Sequence, residues 1–162
     1  RIFAAPSEST RLVTQDVVDL IQAETDAGVF DPKVYSKLSA QIKKAGEQLV
    51  NAIRTTKSAG RRVAGYGAPA KATTLMHQFG LTSADIEYII DDSPWKQGLL
   101  SPGLKLPIMP ASHLEREPVD DLVILAWNFA DPIIENNKSF LTGNRRFIVP
   151  LPKLRMVSAD DL

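Results

Sequence analysis

Short apolar runs alternate with amphipathic stretches over residues 61–162 of the chain. The apolar runs predict five β-strands, the first beginning at Val63 and the others at residues 86–90, 106–109, 121–127 and 146–151. Helical patterns between several of these runs predict a mainly parallel sheet, because parallel strands are joined by crossover helices. The pattern therefore predicts an α/β fold in which a doubly wound, five-stranded sheet carries helices on both faces.

The helix after the first strand has the clearest apolar stripe of this region. Its apolar residues lie at i, i+3, i+4 and i+7 and are Ala72, Leu75, Met76 and Phe79. This spacing forms one face of a helix with about 3.6 residues per turn. Pro69 suits the first helical position, because its missing N–H would have no partner there. A later helix is predicted from Asp131-Pro132 through about Leu141.

Residues 11–60 are predicted to form a helical arm that precedes the sheet. Thr14 can cap a first helix that Gly28 would end, and Asp31-Pro32 is a second start signal. Apolar residues then recur at alternating gaps of three and four, at Tyr35, Leu38, Ile42, Ala45, Leu49 and Ala52. This seam predicts one long helix, ending near Ala59 and packed against a partner. We expect it to cover the sheet and reach toward a neighbouring domain or subunit; a helix that only covers the core is the alternative.

The chain opens with a short apolar run, Arg1 to Ala5, that has no earlier strand to pair with. We expect residues 1–10 to be the remnant strand of a domain that precedes this one in a longer protein. The arm and residues 61–162 are expected to form one compact unit.

Composition narrows the possible partners. The 162 residues include 19 basic and 19 acidic side chains, so the net charge favours neither nucleic acid nor an anionic membrane as a partner. The absence of cysteine excludes disulfides and thiolate metal sites. The two histidines, His77 on a predicted helix surface and His113 in a polar turn, complete neither a zinc site nor a Ser/His/Asp triad. No apolar run approaches the ~20 residues that span a bilayer, so we expect a cytoplasmic protein.

A glycine-rich motif lies between the first strand and its helix. Gly65, Gly67 and Ala70 fit the dinucleotide fingerprint G-x-G-x-x-G/A, and Asp91 lies about 20 residues further on, where a ribose-binding acid is expected. Because the motif follows a strand and opens a helix, it predicts a Rossmann-like domain. The fingerprint alone does not separate a nicotinamide dinucleotide from a nucleotide sugar or from a remnant without ligand.

Lys71 falls in the first turn of the helix, where the helix dipole is positive. A cation is disfavoured there by roughly 0.3–1 kcal/mol unless an anion shares the site. Since free N–H groups at a helix start bind anions, the loop and Lys71 predict a phosphate or carboxylate site. The alternative is that Lys71 extends into solvent and the glycines only make a turn.

Polar residues follow two other strands at the carboxyl edge, where parallel sheets bind ligands. Asp91 and Asp92 are adjacent, so their side chains are expected to point to opposite faces and not to form an acid/base pair. Trp95 can stack on a base or sugar or lie on the surface. Trp127 is expected in the core, and Asn128 after it is a candidate hydrogen-bonding contact.

Four segments resemble the C-terminal domain of bacterial SAM-dependent sugar C-methyltransferases, where SAM is S-adenosylmethionine. They are G-Y-G-A-P-A-K-A-T-T-L (65–75), I-D-D-S-P-W-K-Q-G (90–98), S-P-G-L-K-L-P-I (101–108) and L-A-W-N (125–128). The long helix and the opening residues also resemble that family's junction with its methyltransferase domain. The four segments lie in order and span about half of the chain.

The resemblance implies a three-part enzyme that methylates a carbon of a nucleotide-linked deoxysugar. A zinc-binding module and a SAM-binding catalytic domain would lie outside these residues, so SAM, zinc and catalytic residues are not expected within them. The preceding methyltransferase domain and a nucleotide-diphosphate sugar are the expected partners. The substrate-binding candidates are Gly65, Tyr66, Gly67, Ala68, Lys71, Asp91, Asp92 and Asn128.

Two other functions remain open from the sequence. The fingerprint and Asp91 would suit an NAD(P)-binding oxidoreductase domain, although the chain lacks a convincing proton donor. A scaffold without ligand, holding domains or subunits together, would suit the small uncharged residues of the loop.

Overall fold

The computed structural model describes residues 3–162. The helices are α1 (Gln15–Asp26), α2 (Pro32–Ser58), α3 (Ala70–Gln78), α4 (His113–Arg116) and α5 (Ala130–Asn136). The strands are β1 (Val63–Tyr66), β2 (Ile89–Ile90), β3 (Ile108–Met109), β4 (Asp121–Ile124), β5 (Arg146–Val149) and β6 (Arg155–Val157). Short 3-10 turns lie at Trp127–Phe129, Lys138–Phe140 and Ala159–Asp161. Of the helices in residues 3–162, none combines the length and apolar character needed to cross a bilayer.

The chain divides into two units, one up to Gln41 and one from Ile42 onward. This boundary lies inside α2, where the side chains are exposed up to residue 44 and become buried from Gly46. The division predicted at residue 60 stays a prediction. In the first unit, α1 buries no residue. Residues 3–5 have no regular secondary structure, since a lone strand has no partner for its backbone groups. Arg1 and Ile2 lie outside the described residues, so the strand remnant of a preceding domain stays a prediction.

The second unit is built on a six-stranded sheet in the order β3-β2-β1-β4-β5-β6. All neighbouring strands are parallel except β6, which runs antiparallel to β5. The strand order reverses at β1, so the switch point of the sheet lies between β1 and β4. The α/β, Rossmann-like prediction is confirmed.

Both faces of the sheet are covered, because alternate residues of β1 enter different apolar clusters. Val63 joins the cluster that contains Leu49 of α2 and Met76 of α3. Ala64 and Tyr66 join the opposite cluster, which includes Ile134 of α5, Phe140 and Phe147. Helices therefore lie on both faces, as predicted.

The sequence prediction was wrong in several details of this unit. The strands predicted over 86–90, 106–109 and 146–151 are shorter, and form β2, β3 and β5. The sheet has six strands and not five, because β6 is a short edge strand with two exposed residues and no continuous apolar run. The strand predicted over 121–127 ends at Ile124, and Trp127 already lies in a 3-10 turn. The helix expected through Leu141 ends at Asn136, and a separate turn follows at Lys138–Phe140.

Candidate functional site

Gly65 in β1 and Gly67 in the loop after it allow close packing against the segment after β4. A Cβ on Gly65 would lie 2.7 Å from Leu125 Cδ1, and one on Gly67 would lie 2.9 Å from Ala126 Cβ. Gly67 also has a φ of +85°, which side-chain-bearing residues rarely adopt. Packing within the chain, together with the positive φ of Gly67, therefore explains why both positions of the fingerprint are glycines.

Two N–H groups of this loop are already engaged by the next strand. The Gly67 N–H donates to the carbonyl oxygen of Ile90 at 2.7 Å, and the Ala68 N–H donates to Asp91 Oδ2 at 2.6 Å. An anion at this loop would therefore meet the start of α3 and the Lys71 side chain, and not the N–H groups of Gly67 and Ala68.

Asp91 is buried and joins the loop after β1 to the loop after β2. Besides Ala68, its carboxylate accepts the Ser93 N–H at 2.9 Å and pairs with Lys96 Nζ at 3.2 Å. Burial opposes ionisation, but the backbone N–H groups and Lys96 outweigh it and hold the pKa of Asp91 below its ordinary value. The residue predicted to bind ribose is thus occupied by contacts within the chain.

Asp92 makes different contacts from its neighbour, as expected from their alternation. The Tyr66 hydroxyl donates to Asp92 Oδ2 at 2.8 Å, and Asn137 Nδ2 donates to the Tyr66 oxygen at 3.1 Å. Asn137 Nδ2 also donates to the Ile133 carbonyl at 2.8 Å, which fixes the amide. Burial of the phenol, reinforced by its bond to Asp92, raises the pKa of Tyr66 to about 12. Tyr66 therefore stays a hydrogen-bond donor at neutral pH and orients an exposed carboxylate.

Asn137 was not predicted from the sequence. The helix expected through Leu141 would have placed it in a helix interior, whereas it is the C-cap residue directly after α5. An asparagine is common where a helix ends, and that was the available signal.

Lys71 lies in the first turn of α3 and contacts aromatic rings. Pro69 is the N-cap and not the first helical residue, which leaves Lys71 as the second residue of the helix. Its Nζ lies 4.9 Å from the ring centroid of Trp127 and 5.4 Å from that of Phe129. Within residues 3–162, no carboxylate forms an ion pair with Lys71. Aromatic faces attract the cation without neutralising it.

The segment after β4 carries both aromatic partners of Lys71. Trp127 is half-buried and packs against the core, as predicted, whereas Asn128 is exposed. Phe129 is 58% exposed and was not predicted as a site residue. Trp95 is 90% exposed, so it makes little contact with the rest of the described structure.

A family model described as the C-methyltransferase C-terminal domain matches residues 1–152. The chain belongs to this family of C-methyltransferase C-terminal domains. The C-methyltransferase NovU of Streptomyces niveus is 33% identical over 159 residues, which are 98% of this chain and 38% of NovU. The chain therefore spans well under half the length of that relative. A solved structure, UDP-D-quinovosamine 4-dehydrogenase from Vibrio fischeri, is 15% identical with a TM-score of 0.39, covering 63% of this chain and 97% of that chain.

The two histidines of this C-methyltransferase domain take part in none of the contacts described above. His77 is exposed, as predicted. His113 is half-buried, its ring meets Tyr88 edge-on at 4.8 Å, and its Nδ1 has no hydrogen-bond partner in the described structure. Across residues 3–162, no group of three or more His, Asp or Glu residues is arranged to hold a metal ion.

A separate open groove of about 510 Å³ lies between α5, β6 and the last turn. Its lining residues are Asp131, Ile134, Glu135, Arg155, Met156, Val157, Asp161 and Leu162. It contains none of the eight predicted site residues, and its one cation, Arg155, is paired with Asp131 at 2.7 Å. The carboxyl edge therefore remains the candidate site.

Proposed function

We propose that this chain is the substrate-binding domain of a longer, SAM-dependent C-methyltransferase that acts on a nucleotide-linked deoxysugar in the bacterial cytoplasm. The observation that carries the proposal is Lys71, a cation in a first helical turn that lies over aromatic rings and has no carboxylate partner among residues 3–162. A dianionic diphosphate would supply the missing opposite charge.

The part of the candidate site around Lys71 suits the nucleotide part of such a ligand. Its ammonium group can donate charge-assisted hydrogen bonds to phosphate oxygens, and the start of α3 favours negative charge through its dipole. Phe129 offers an exposed ring within 5.4 Å of the Lys71 amine, where an aromatic base can stack. Asn128 lies between the two aromatic residues and is exposed.

The part of the candidate site around Asp92 suits the sugar part of the ligand. A carboxylate repels phosphate but accepts hydrogen bonds from hydroxyl groups, and Asp92 is exposed while Tyr66 holds it in place. The chain's own residues would thus bind and orient the two ends of one ligand, an anionic end at Lys71 and a hydroxylated end at Asp92.

We place methyl transfer outside these residues. SAM supplies the methyl group in such an enzyme, and Asp91, at the position where Rossmann-like folds bind a ribose, is occupied by Ala68, Ser93 and Lys96. The same occupancy counts against an NAD(P)-dependent oxidoreductase. We place the structural zinc outside these residues too, since the sequence has no cysteine, the usual ligand of structural zinc.

Calorimetric titration of the chain with a nucleoside diphosphate and with its sugar derivative tests the proposal. Lys71→Ala should weaken binding of both ligands by about 10- to 100-fold, the size expected for losing one charged hydrogen-bond partner. Lys57→Ala is the matched control, because it removes the same charge from a lysine that pairs with Glu87 at 3.6 Å. The control should leave both affinities unchanged.

Parallel titrations with NADH and SAM separate this proposal from its alternatives. Tight binding of NADH would support an oxidoreductase domain and contradict the proposal. Failure of all four ligands to bind would support a scaffold without ligand. Equal affinities of the Lys71→Ala variant and the unmodified chain for the diphosphates would remove Lys71 from the site.

A further inference from the structure

Trp95 is an exposed aromatic residue near the carboxyl edge of the sheet that the candidate site does not yet use. It lies on the connection between β2 and β3 and is 90% exposed. Trp127, the other tryptophan of the chain, is half-buried against the core. One exposed apolar residue is common on a protein surface. The way this connection is held, and its place on the sheet, distinguish Trp95.

Hydrogen bonds fix the turn that carries Trp95. The Lys96 N–H donates to the Ser93 carbonyl oxygen at 3.0 Å, which closes a β-turn with Pro94 and Trp95 at its centre. Proline suits the first central position of such a turn, because its ring presets φ. The Asp91 carboxylate holds both ends of the turn, since it accepts the Ser93 N–H at 2.9 Å and Lys96 Nζ at 3.2 Å.

The connection is also held beyond the turn. Gln97 Nε2 donates to the Asp91 carbonyl oxygen at 3.0 Å, and the Gly98 N–H donates to the Ile108 carbonyl oxygen of β3 at 2.8 Å. The backbone around Trp95 is therefore fixed, while the indole stays in solvent. A ligand that packs on this ring orders little further backbone, and such pre-organisation favours binding.

The strand order places Trp95 and Phe129 on opposite sides of the loop that leads to Lys71. β1 lies between β2 and β4, and the three strands are parallel, so their carboxyl ends meet at one edge of the sheet. Asp92 and Trp95 follow β2, Lys71 follows β1, and Phe129 follows β4. Neighbouring strands are about 4.8 Å apart, so the segments after β2 and β4 begin about 10 Å apart. A ligand with a base, a diphosphate and a sugar in line matches this order.

We propose that Trp95 packs on the apolar C–H face of the sugar whose hydroxyl groups bond to Asp92. The two residues are three positions apart on one connection, and both are exposed. A sugar ring carries hydroxyl groups at its rim and C–H groups on its faces, so a carboxylate and an aromatic ring suit different parts of it. Phe129 then serves the base at the other side of Lys71. This inference rests on the proposed function, because it needs a nucleotide sugar at Lys71.

Titration with uridine diphosphate and thymidine diphosphate, each alone and as its glucose derivative, tests this contact. Trp95→Ala should weaken binding of the sugar derivative by about 5- to 10-fold, the size expected when one ring face is no longer buried, and should leave binding of the free diphosphate unchanged. Trp95→Phe keeps an aromatic face and should restore most of the affinity. Leu100→Ala is the matched control, because Leu100 is an apolar residue of the same connection with 58% exposure. It should bind both ligands like the unmodified chain.

Tryptophan fluorescence gives a second readout, because the chain has two tryptophans. The ring centroid of Trp127 lies 4.9 Å from Lys71 Nζ, so Trp127 should respond to the diphosphate of either ligand. Trp95 should respond to the sugar derivative alone, with emission at shorter wavelength, because the sugar excludes water from the indole. In Trp95→Phe the free diphosphate and the sugar derivative should therefore give the same change.

Three results would overturn the inference while leaving the proposed function standing. Equal weakening of both ligands by Trp95→Ala would place Trp95 at the base or the phosphates, and weakening of neither would remove it from the site. Light scattering that shows a dimer of this chain, which Trp95→Ala converts to a monomer, would assign Trp95 to a contact between copies. Lys71→Ala decides the proposed function separately, through the free diphosphate. Failure of all four ligands to bind would overturn both.

Discussion

The two ends of the central sheet differ in how their charged residues are paired: those at the amino end form ion pairs, whereas, in the described part of the chain, Lys71 and Asp92 at the carboxyl end do not. At the amino end, Asp121 at the start of β4 is fully buried and pairs with Arg61 at 2.9 Å and Arg146 at 2.8 Å. Glu87, just before β2, pairs with Arg62 at 2.6 Å. At the carboxyl end, Lys71 lies over two aromatic rings, and Asp92 accepts a hydrogen bond from a phenol. Within residues 3–162, neither of the two forms an ion pair.

This difference separates charges that hold the fold from charges that are available to a ligand. A buried charge without a partner is costly, so a charge that serves stability is paired inside the chain. Asp91 follows this rule at the carboxyl end, because Lys96 and two backbone N–H groups satisfy it. Lys71 and Asp92 do not follow it, which is why we assign the ligand to them and not to Asp91.

The largest effect on stability should come from breaking the amino-end cluster. Asp121→Ala leaves Arg61 and Arg146 without their shared carboxylate, and removing one partner of a buried ion pair costs about 3–5 kcal/mol. Urea unfolding should show this loss as a lower midpoint. A loss below about 1 kcal/mol would mean that the cluster is not what stabilises the start of β4.

The same cluster predicts the response of stability to acid. Burial opposes ionisation of Asp121, but hydrogen bonds from Arg146 and Arg61 outweigh it and lower its pKa from the ordinary 3.8. Its contribution to the free energy of unfolding is therefore present above pH 3.8 and falls as the pH drops through the lower folded-state pKa. When the free energy of unfolding is measured from pH 6 down to about pH 2, it should fall less steeply with pH for Asp121→Ala than for the unmodified chain.

A smaller loss of stability is expected from Asp91→Asn at the carboxyl end. The amide keeps one oxygen acceptor, so it cannot satisfy Ala68, Ser93 and Lys96 together, and losing hydrogen bonds to a charged group costs about 1.5–3 kcal/mol. The hydrogen-exchange rate of the Ala68 amide should rise, because this N–H loses its hydrogen bond to Asp91. If Asp91 instead bound ribose, the change would weaken ligand binding without exposing this amide.

The sequence predicted the α/β class, the sheet with helices on both faces and the glycine-rich turn, because periodicity and turn chemistry are local signals. It did not reveal β6, whose residues are polar or exposed and become a strand only by pairing with β5. Long-range pairing of this kind leaves little trace in a short segment.

The site was predicted less completely than the fold for a similar reason. The fingerprint indicated Gly65, Gly67 and Asp91, but a pattern cannot show that a neighbouring backbone already occupies the loop and the carboxylate. Asn137 and Phe129 reach the carboxyl edge from segments whose ends were misjudged. The roles of all eight predicted residues in ligand binding stay predictions until they are titrated.

Asp92 should matter for the sugar and not for the diphosphate. Asp92→Asn should weaken binding of a nucleotide sugar by about 3- to 10-fold, the range for one hydrogen bond. Tyr66→Phe should have an effect of the same size, because it removes the hydroxyl that orients the Asp92 carboxylate. Neither should change binding of the nucleoside diphosphate alone. Equal weakening of both ligands would place Asp92 near the phosphates or show a general disturbance of the loop.

The smallest effect on stability should come from Lys71→Ala, although it should have the largest effect on binding. Lys71 has no ion pair to lose within the described residues, and its contacts with Trp127 and Phe129 at a partly exposed position are worth about 0.5–1 kcal/mol. Alanine also suits a first helical turn better than a cation does, by roughly 0.3–1 kcal/mol, so the two effects offset. Thermal unfolding without ligand should therefore be nearly unchanged, whereas the stabilisation by added nucleoside diphosphate should be clearly smaller, in line with the weaker binding. A substantial loss of stability without ligand would show that Lys71 holds the fold, as Asp121 does, and would end the contrast between the two ends of the sheet.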